Sequence, residues 1–404
     1  MLPPTPRRFH PWVFLVLILP FGVVSGYATV TLAYELKAAG VAVAAIAALS
    51  AWVLLPQTWK FFWGPIVDIT LDQRKWYVIS AVLSAAGIAA IGFFPPTHAG
   101  LAALAVVLFL ASLATTFMGM ACESLIAHAT PDECRGKVAG WYQAGNLGGT
   151  GIGGGLGLEL AQRLPAPWMA SVIVGSLSLL CCLALFWAPP PTKSFAVTHV
   201  WPKVRETGVD LWQIVRQRGG VLAMILCFLP LGSGAAPFAA MAGEWHATDN
   251  TVALVTGVLG GVISMVGCFF GGWLCDRMNR KAAYVWFGIF QAVAGVAMGW
   301  MARTESMFIV WTLVYTFGSG LAYAAFSAFV LEAIGKGAAA TKYNALASLS
   351  NTPIYYMTIL DGWSHDKWNS TKMFYVESGL AVVSALLFLV LAQILWPKRA
   401  PEQK

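Results

Sequence analysis

Charged side chains are scarce in this chain of 404 residues. Asp, Glu, Lys and Arg together make up 11% of the sequence, whereas soluble domains carry about 25%. Hydrophobic residues make up 58%, and the mean hydropathy is +0.70. A soluble fold cannot hide so much apolar surface from water, so the composition excludes a soluble protein and predicts an integral membrane protein.

Catalytic and nucleotide-binding motifs are also missing. The sequence contains no Walker loop, no zinc-binding HExxH and no GxSxG elbow. Gly149-Thr-Gly151-Ile-Gly153-Gly154 matches GxGxxG, but a helix-type apolar segment precedes it where a βαβ unit would need a strand. The glycine-rich run 145–157 instead favours two helices in close contact. We predict no enzyme, no metal and no cofactor, and energy supplied by a gradient instead of ATP.

What the sequence does contain is a series of long apolar runs. About 20 apolar residues cross a hydrocarbon layer of ~30 Å, and such runs must be helices because lipid offers no partner for backbone polar groups. The predicted fold class is all-α integral membrane, with twelve transmembrane helices in two pseudo-symmetric six-helix bundles. The spans are expected near residues 12–34, 40–66, 76–94, 100–128, 138–161, 168–188, 220–243, 250–274, 282–302, 306–333, 342–361 and 373–396.

The distribution of basic residues predicts the orientation of these spans. Of the 25 Lys and Arg residues, 19 fall on the side that holds both termini, 5 fall on the opposite side, and Lys60 lies inside a span. Because basic residues concentrate in cytoplasmic loops, both termini are predicted to be cytoplasmic. We expect a multi-pass protein of the bacterial inner membrane, with a first span that is retained and not cleaved. No cysteine falls in a predicted external loop, so no disulfide framework is expected.

Short motifs recur between the two parts of the chain. Leu19-Pro20-Phe21-Gly22 returns as Leu229-Pro230-Leu231-Gly232, and Glu123 has a counterpart in Glu332, both at a shift near 209 residues. Such repeats are typical of transporters built from two similar bundles around a cavity. We predict an N-terminal bundle over 1–188, a cytoplasmic linker over 189–219 and a C-terminal bundle over 220–404. The linker is consistent with either an interfacial helix or a partly ordered basic segment.

The loop between the eighth and ninth spans carries the sharpest motif. Gly272-Trp-Leu-Cys-Asp276-Arg277-Met-Asn-Arg280-Lys281 resembles the cytoplasmic signature loop of the major facilitator superfamily. The resemblance implies that the aspartate latches onto a neighbouring helix end and that the basic residues hold a cytoplasmic gate shut; alternatively, these charges only enforce topology. The first half contains a copy of this motif, Gly64 to Asp68, which lacks an arginine directly after its aspartate. The candidate gate residues are Asp68, Arg74, Asp276, Arg277, Arg280 and Lys281.

Ionisable groups inside predicted spans are candidate functional residues, because they are costly in lipid unless they face a cavity or a partner. Glu123 and Glu332 are candidates for proton coupling, with structural pairing as the alternative. Lys60 is predicted either to face a cavity or to extend its amino group to the membrane interface. His128 is interpreted as a residue of that interface. Other polar residues line a cavity or form interhelical hydrogen bonds. The candidate cavity residues are Tyr27, Gln57, Lys60, Gln143, Asn146, Tyr323, Asn344, Asn351 and Tyr355.

A narrower resemblance rests on two distant stretches. The run from Leu54 to Asp68 resembles the second-span signature of the muropeptide permease and acetyl-coenzyme A transporter group. The run from Ala339 to Leu349, followed by Asp361-Gly362-Trp363, resembles a second stretch of that group. The group includes carriers for muropeptides, acyl-coenzyme A species and some siderophores, generally taken to be proton-coupled importers.

This resemblance implies a secondary active transporter that imports a medium-sized polar or amphiphilic organic solute with protons by alternating access. The expected partners are that small solute, protons and the lipid bilayer, with no nucleic acid, and the chain is expected to act as a monomer. Two alternatives stay open. One is a proton antiporter that exports drugs or metabolites, and the other is a membrane receptor that uses the same fold without transporting.

Overall fold

The protein is described by a computed structural model over residues 10–129, 135–190, 205, 208–209, 212, 216–334 and 345–395. Within these ranges the regular structure is helical and no strand occurs. The predicted all-helical class is therefore confirmed. We call residues 10–190 the N-terminal half and residues 216–395 the C-terminal half.

The N-terminal half contains seven labelled helices, and the sixth of them continues through Ile152–Leu156 and Gly157–Arg163. The predicted second span is two helices, because Trp59 between them leaves the helical conformation. The helices are α1 (Trp12–Ala38), α2 (Val43–Thr58), α3 (Lys60–Thr70), α4 (Gln73–Ile91), α5 (Leu101–Ala129), α6 (Arg135–Gly151) and α7 (Pro167–Leu180).

The C-terminal half also contains seven labelled helices within its described residues, and two of them are short. They are α8 (Arg218–Leu226), α9 (Phe238–Met241), α10 (Asp249–Cys275), α11 (Arg280–Trp300), α12 (Glu305–Ile334), α13 (Asn351–Lys367) and α14 (Ser370–Leu395).

The seventh predicted span, 220–243, is not one continuous helix. Residues 227–237, which we call the interrupted segment, separate α8 from α9. Pro230 and Pro237 offer no backbone N–H for a helical hydrogen bond. Gly232 and Gly234 have φ angles of 75° and 65°, in the left-handed region that glycine tolerates. Together these residues stop the helix inside the predicted membrane region.

Eight of the described helical segments are long and apolar enough to cross a membrane. The count of twelve spans stays a prediction. Because successive spans reverse direction, the turns near residues 39–42, 164–166, 246–248 and 368–369 share one end of the molecule. We call it the predicted outer end, and we call the opposite end the predicted inner end.

Small residues bring α1 and α6 into close contact, as the glycine-rich run predicts. Gly145, Gly149 and Gly153 follow one another at four-residue intervals on this helix, facing α1. A Cβ atom at any of these three positions would overlap a backbone carbonyl oxygen of α1, and a Cβ at Gly22 or Gly26 would overlap the backbone of the glycine-rich helix. The two backbones therefore touch, which fixes the position of the polar side chains on α6.

Candidate functional site

An ion pair lies inside the N-terminal half at the predicted inner end. Lys60 Nζ, at the start of α3, contacts Glu123 Oε1 on α5, and the hydroxyl of Tyr142 on α6 donates to the same oxygen at 2.8 Å. The Lys60 and Glu123 side chains are 18% and 25% exposed. Glu123 and Tyr142 lie six and seven residues from the inner ends of their helices, a depth of about 9–10 Å. We call these three residues the Lys60 cluster.

A second set of polar side chains, adjacent to Tyr142 in sequence, reaches the other half. Gln143, directly after Tyr142, donates from Nε2 to the hydroxyl of Tyr323 on α12 at 3.1 Å. Asn146 Nδ2 donates to Gln143 Oε1 at 3.4 Å. The structure thus brings Lys60, Gln143, Asn146 and Tyr323, all predicted cavity residues, to one region where the halves meet. Tyr323 is 46% exposed.

The other predicted cavity residues lie elsewhere. Tyr27 is buried, and its ring packs against Gly157 of the helix that continues α6. Gln57 is buried on α2, and its backbone carbonyl accepts a hydrogen bond of 2.8 Å from Ser348 of the C-terminal half. The remaining candidates are Asn351 and Tyr355, which are half-buried on α13, and Asn344, which lies outside the described residues.

The predicted gate loop at the end of α10 is mostly exposed. Arg277 stacks its guanidinium 4.1 Å from the ring centroid of Trp273 and donates to the carbonyl of that residue. Arg280 pairs with Glu332 at 3.4 Å, and both side chains are more than a third exposed. Asp276 is exposed, so in this conformation its carboxylate is not buried against a neighbouring helix end.

The other gate and coupling candidates have local roles or lie outside the described side chains. Arg74 donates to the carbonyl oxygens of Ala188 and Pro189, at 2.7 and 3.2 Å, and so ties α4 to the end of the sixth predicted span. Lys281 donates its backbone N–H to the Asn279 side chain, which caps α11. The side chains of Asp68 and His128 are not among those that the structure describes.

At the predicted outer end the two halves are joined by polar contacts. The hydroxyl of Tyr34 on α1 donates to Asp249 Oδ1 at the start of α10. Asp366 near the end of α13 accepts backbone N–H bonds from Val43 and Ala44, at 3.1 and 2.7 Å. A carboxylate at a helix N-terminus is stabilised by the free N–H groups and by the helix dipole. We call these five residues the outer latch.

A second polar group at this end holds the C-terminal half together. Glu244 pairs with His365 and accepts a hydrogen bond from Ser370. Partial burial alone would raise the pKa of Glu244, but the hydrogen bonds from His365 and Ser370 and the charge of Arg303 outweigh burial and lower that pKa. Arg303 also stacks 3.8 Å from the ring centroid of Trp245. The ionised carboxylate therefore ties α13 and α14 to the loop before α10.

The sequence alone assigns no proton-binding or site role to several groups that the structure shows to be notable. Tyr142 is not among the predicted site residues, because its contact with Glu123 depends on which side of α6 faces Glu123. Asp361 and Glu377 are buried carboxylates in the C-terminal half, 0% and 5% exposed. The signal that could have found them is an acidic residue inside a predicted span or at its end.

A sequence model described as "Major Facilitator Superfamily" matches residues 12–354. This chain belongs to the Major Facilitator Superfamily. The match covers most of the chain, including both partners of the ion pair at Lys60. It stops short of α14, which carries Glu377.

Two relatives indicate which members of the superfamily the chain resembles. The anhydromuropeptide permease of Escherichia coli (strain K12) is 26% identical over 355 residues, which cover 83% of this chain and 70% of the permease. The putative transporter AmpG 4 of Rickettsia conorii (strain ATCC VR-613 / Malish 7) is 22% identical over 412 residues, which cover 93% of this chain and 96% of that transporter. The predicted resemblance to muropeptide permeases is confirmed.

Solved structures share the fold. The nucleoside transporter NupG aligns with a TM-score of 0.70 at 14% identity, covering 94% of this chain and 98% of NupG. The D-xylose-proton symporter aligns with a TM-score of 0.70 at 16% identity, covering 93% of this chain and 96% of the symporter. The family model and the relatives together identify the chain as a multi-pass membrane transporter and not an enzyme.

Proposed function

We propose that this chain is a proton-coupled importer of a medium-sized organic solute that carries an anionic group, such as a muropeptide, a siderophore or an acyl-coenzyme A species. The observation that carries the proposal is the ion pair between Lys60 and Glu123, located beside the hydrogen bond from Gln143 to Tyr323 that joins the two halves. The relative named as an anhydromuropeptide permease supports movement of a solute of this kind across the membrane.

The ion pair suggests how a proton and an anionic solute would be coupled. While Glu123 is ionised it neutralises Lys60, and a solute anion has to displace it. Protonation of Glu123 removes that competitor, and Lys60 then attracts the solute carboxylate or phosphate. A coupling free energy of about 1–3 kcal/mol is enough to change an affinity 5- to 150-fold. Two unit charges about 4 Å apart interact by about 4 kcal/mol at an effective dielectric of about 20, so exchange of one ion-pair partner can supply this coupling.

The contacts between the halves support alternating access as the mechanism. The outer latch joins the halves at one end, while the Lys60 cluster lies near the other end with side chains that are 18% and 25% exposed. With the predicted orientation, this conformation is closed to the outside. Rocking of the bundles 1–188 and 220–404 about the site, with the linker 189–219 connecting them, would then expose it to each side in turn.

Reconstituted uptake tests the proposal. Purified protein in proteoliposomes should accumulate a labelled anhydromuropeptide under an inward proton gradient, and an uncharged derivative with its carboxylates amidated should accumulate much less. Accumulation that occurs only with the gradient reversed would show that the chain is an exporter. Measurable binding with flux at the background of empty vesicles would favour a receptor.

A further inference from the structure

The C-terminal half contains two buried carboxylates that the proposed coupling at Lys60 does not use. Asp361 on α13 is 0% exposed and Glu377 on α14 is 5% exposed. The Tyr315 hydroxyl on α12 donates to Glu377 Oε1. Among the described residues, the second oxygen of Glu377 and both oxygens of Asp361 have no hydrogen-bond partner.

The charges around this pair do not neutralise it. Asp361, Glu377 and the Tyr315 hydroxyl are close enough for their charges to act on one another. The helices packed against the pair present neutral groups, with Gln291 from α11, and no described Lys, Arg or His forms an ion pair with either acid. Two ionised carboxylates buried together without a cation carry a prohibitive cost, so the pair holds at least one proton.

A small cavity gives this proton a place to move. Its volume is about 10 Å³, and it is lined by Glu377, Tyr315, Gln291 and part of the interrupted segment. That volume is close to the minimum for one water molecule, and the polar lining supplies hydrogen-bond partners for it. Discontinuous helices with unpaired backbone groups are typical of ion sites in transporters.

The position of Asp361 connects the pair to movement of the two halves. Asp361 lies six residues before the outer end of α13, a depth of about 9 Å. Its neighbour Gly362 packs directly on α2 of the other half, where a Cβ atom would lie 2.9 Å from the Cα of Ala44 and would overlap the Cβ of Ala47. Asp366 of the outer latch lies on the same helix. Separation of α2 from α13 would therefore uncover the part of α13 next to Asp361.

We propose that Asp361 and Glu377 form a proton-binding site in the C-terminal half, closed by the contact between α2 and α13 and opened towards the predicted outer side when the outer latch separates. This inference rests on the proposed alternating access. It adds a proton site on the opposite half from Lys60 and Glu123, at the end where protons would enter.

Infrared spectroscopy of the purified protein tests the site without any transport. The C=O stretching band of a protonated carboxylic acid should be present at neutral pH, and Asp361→Asn or Glu377→Gln should remove or shift it. Tyr315→Phe should shift the band, because it removes the donor to Glu377. Glu159→Gln, which alters a surface acid paired with Arg163, is the matched control and should leave the band unchanged.

Three outcomes would overturn the site. The first is a band that persists unchanged in both Asp361→Asn and Glu377→Gln, and the second is a band that sodium ions remove at constant pH, which would identify a sodium site. The third concerns access: Asp366→Ala, which removes the acceptor of the two backbone N–H groups, should speed the exchange of the acid proton for deuterium, and an unchanged rate would contradict control by the latch. Two substituted positions keep the test valid if one variant does not fold.

Transport separates this inference from the proposed function. A band lost in Asp361→Asn, in a protein whose wild type moves no solute with protons, would support the proton site while the proposed import fails. Proton-driven uptake that is unaffected in Asp361→Asn and Glu377→Gln, with the band unchanged, would overturn the site and leave the proposed import standing.

Discussion

At the residue scale, Lys60 and Glu123 make the most direct prediction. Glu123→Gln removes the carboxylate that competes with an anionic solute, so solute binding should persist and lose its dependence on pH. Proton-driven accumulation should fall by about tenfold or more, the effect of losing a coupling of about 1.4 kcal/mol. Equilibrium binding across a pH series and uptake under a proton gradient measure the two effects separately.

The matched control for that variant is Glu159→Gln, because Glu159 pairs with Arg163 four residues away on an exposed helix surface. Such pairs contribute little, so binding and accumulation should both match the wild type. If Glu123→Gln accumulates solute as the wild type does at every pH, coupling through Glu123 is wrong. Lys60→Gln should behave differently from both, with weaker binding of anionic solutes at every pH.

What the sequence predicts at this scale is the depth of a polar residue, not its neighbours. Lys60, Glu123 and Gln143 stand out because they interrupt apolar runs, and the structure brings them to one region. Tyr142 does not stand out in the same way. Its importance depends on which side of a helix faces which partner, and that is decided by packing of helices that are distant in sequence.

At the element scale, the contact between α1 and α6 offers a paired test on adjacent glycines. A Cβ at Gly149 would overlap the carbonyl oxygen of Leu19, whereas a Cβ at Gly148 meets no atom within 4 Å. Gly149→Ala should therefore lower stability by about 1–3 kcal/mol, as overpacking does. Gly148→Ala should be neutral or slightly stabilising. Thermal unfolding of the detergent-solubilised protein measures both, and equal effects would contradict the packing.

The repeated tetrapeptide shows how far an element can be predicted from its residues. Pro20 lies inside the continuous helix α1, but Pro230 lies in the interrupted segment. The difference lies in the neighbouring residues, because the chain beyond Pro230 adds Gly234 and Pro237, and two glycines adopt left-handed conformations. The apolar run 220–243 predicts a span, and that span stays a prediction. It does not reveal the break, because hydropathy is insensitive to backbone conformation.

At the scale of the whole molecule, alternating access predicts that a link across the predicted outer end blocks transport. With the seven native cysteines replaced, Tyr34→Cys and Asp249→Cys place two thiols on opposite halves. A cleavable bifunctional thiol reagent should stop uptake, and cleavage should restore it. Each single-cysteine variant treated with the same reagent is the control. Uptake at an unchanged rate in the linked protein would show that this end does not open.

The equilibrium between the two access states should depend on Asp366. Its carboxylate accepts the backbone N–H groups of Val43 and Ala44 from the other half, and a helix cap contributes about 0.5–2 kcal/mol. Asp366→Ala should therefore shift the population towards the outward-open state by about fivefold for each 1 kcal/mol lost. Spin labels at the exposed positions of Lys37 and Lys372 report the separation of the outer ends as a distance distribution.

A helix cap that lies within one half is the control for the substitution of Asp366. Asp72 accepts the backbone N–H of Lys75 at 2.9 Å and caps α4, so both cap and helix belong to the N-terminal half. Asp72→Ala should weaken a cap of the same kind and leave the distance between Lys37 and Lys372 unchanged. The outer latch differs from this cap because its hydrogen bonds join the two halves, not because they are stronger. If both variants widen the distribution equally, Asp366 acts through general helix stability, and the outer latch does not control access.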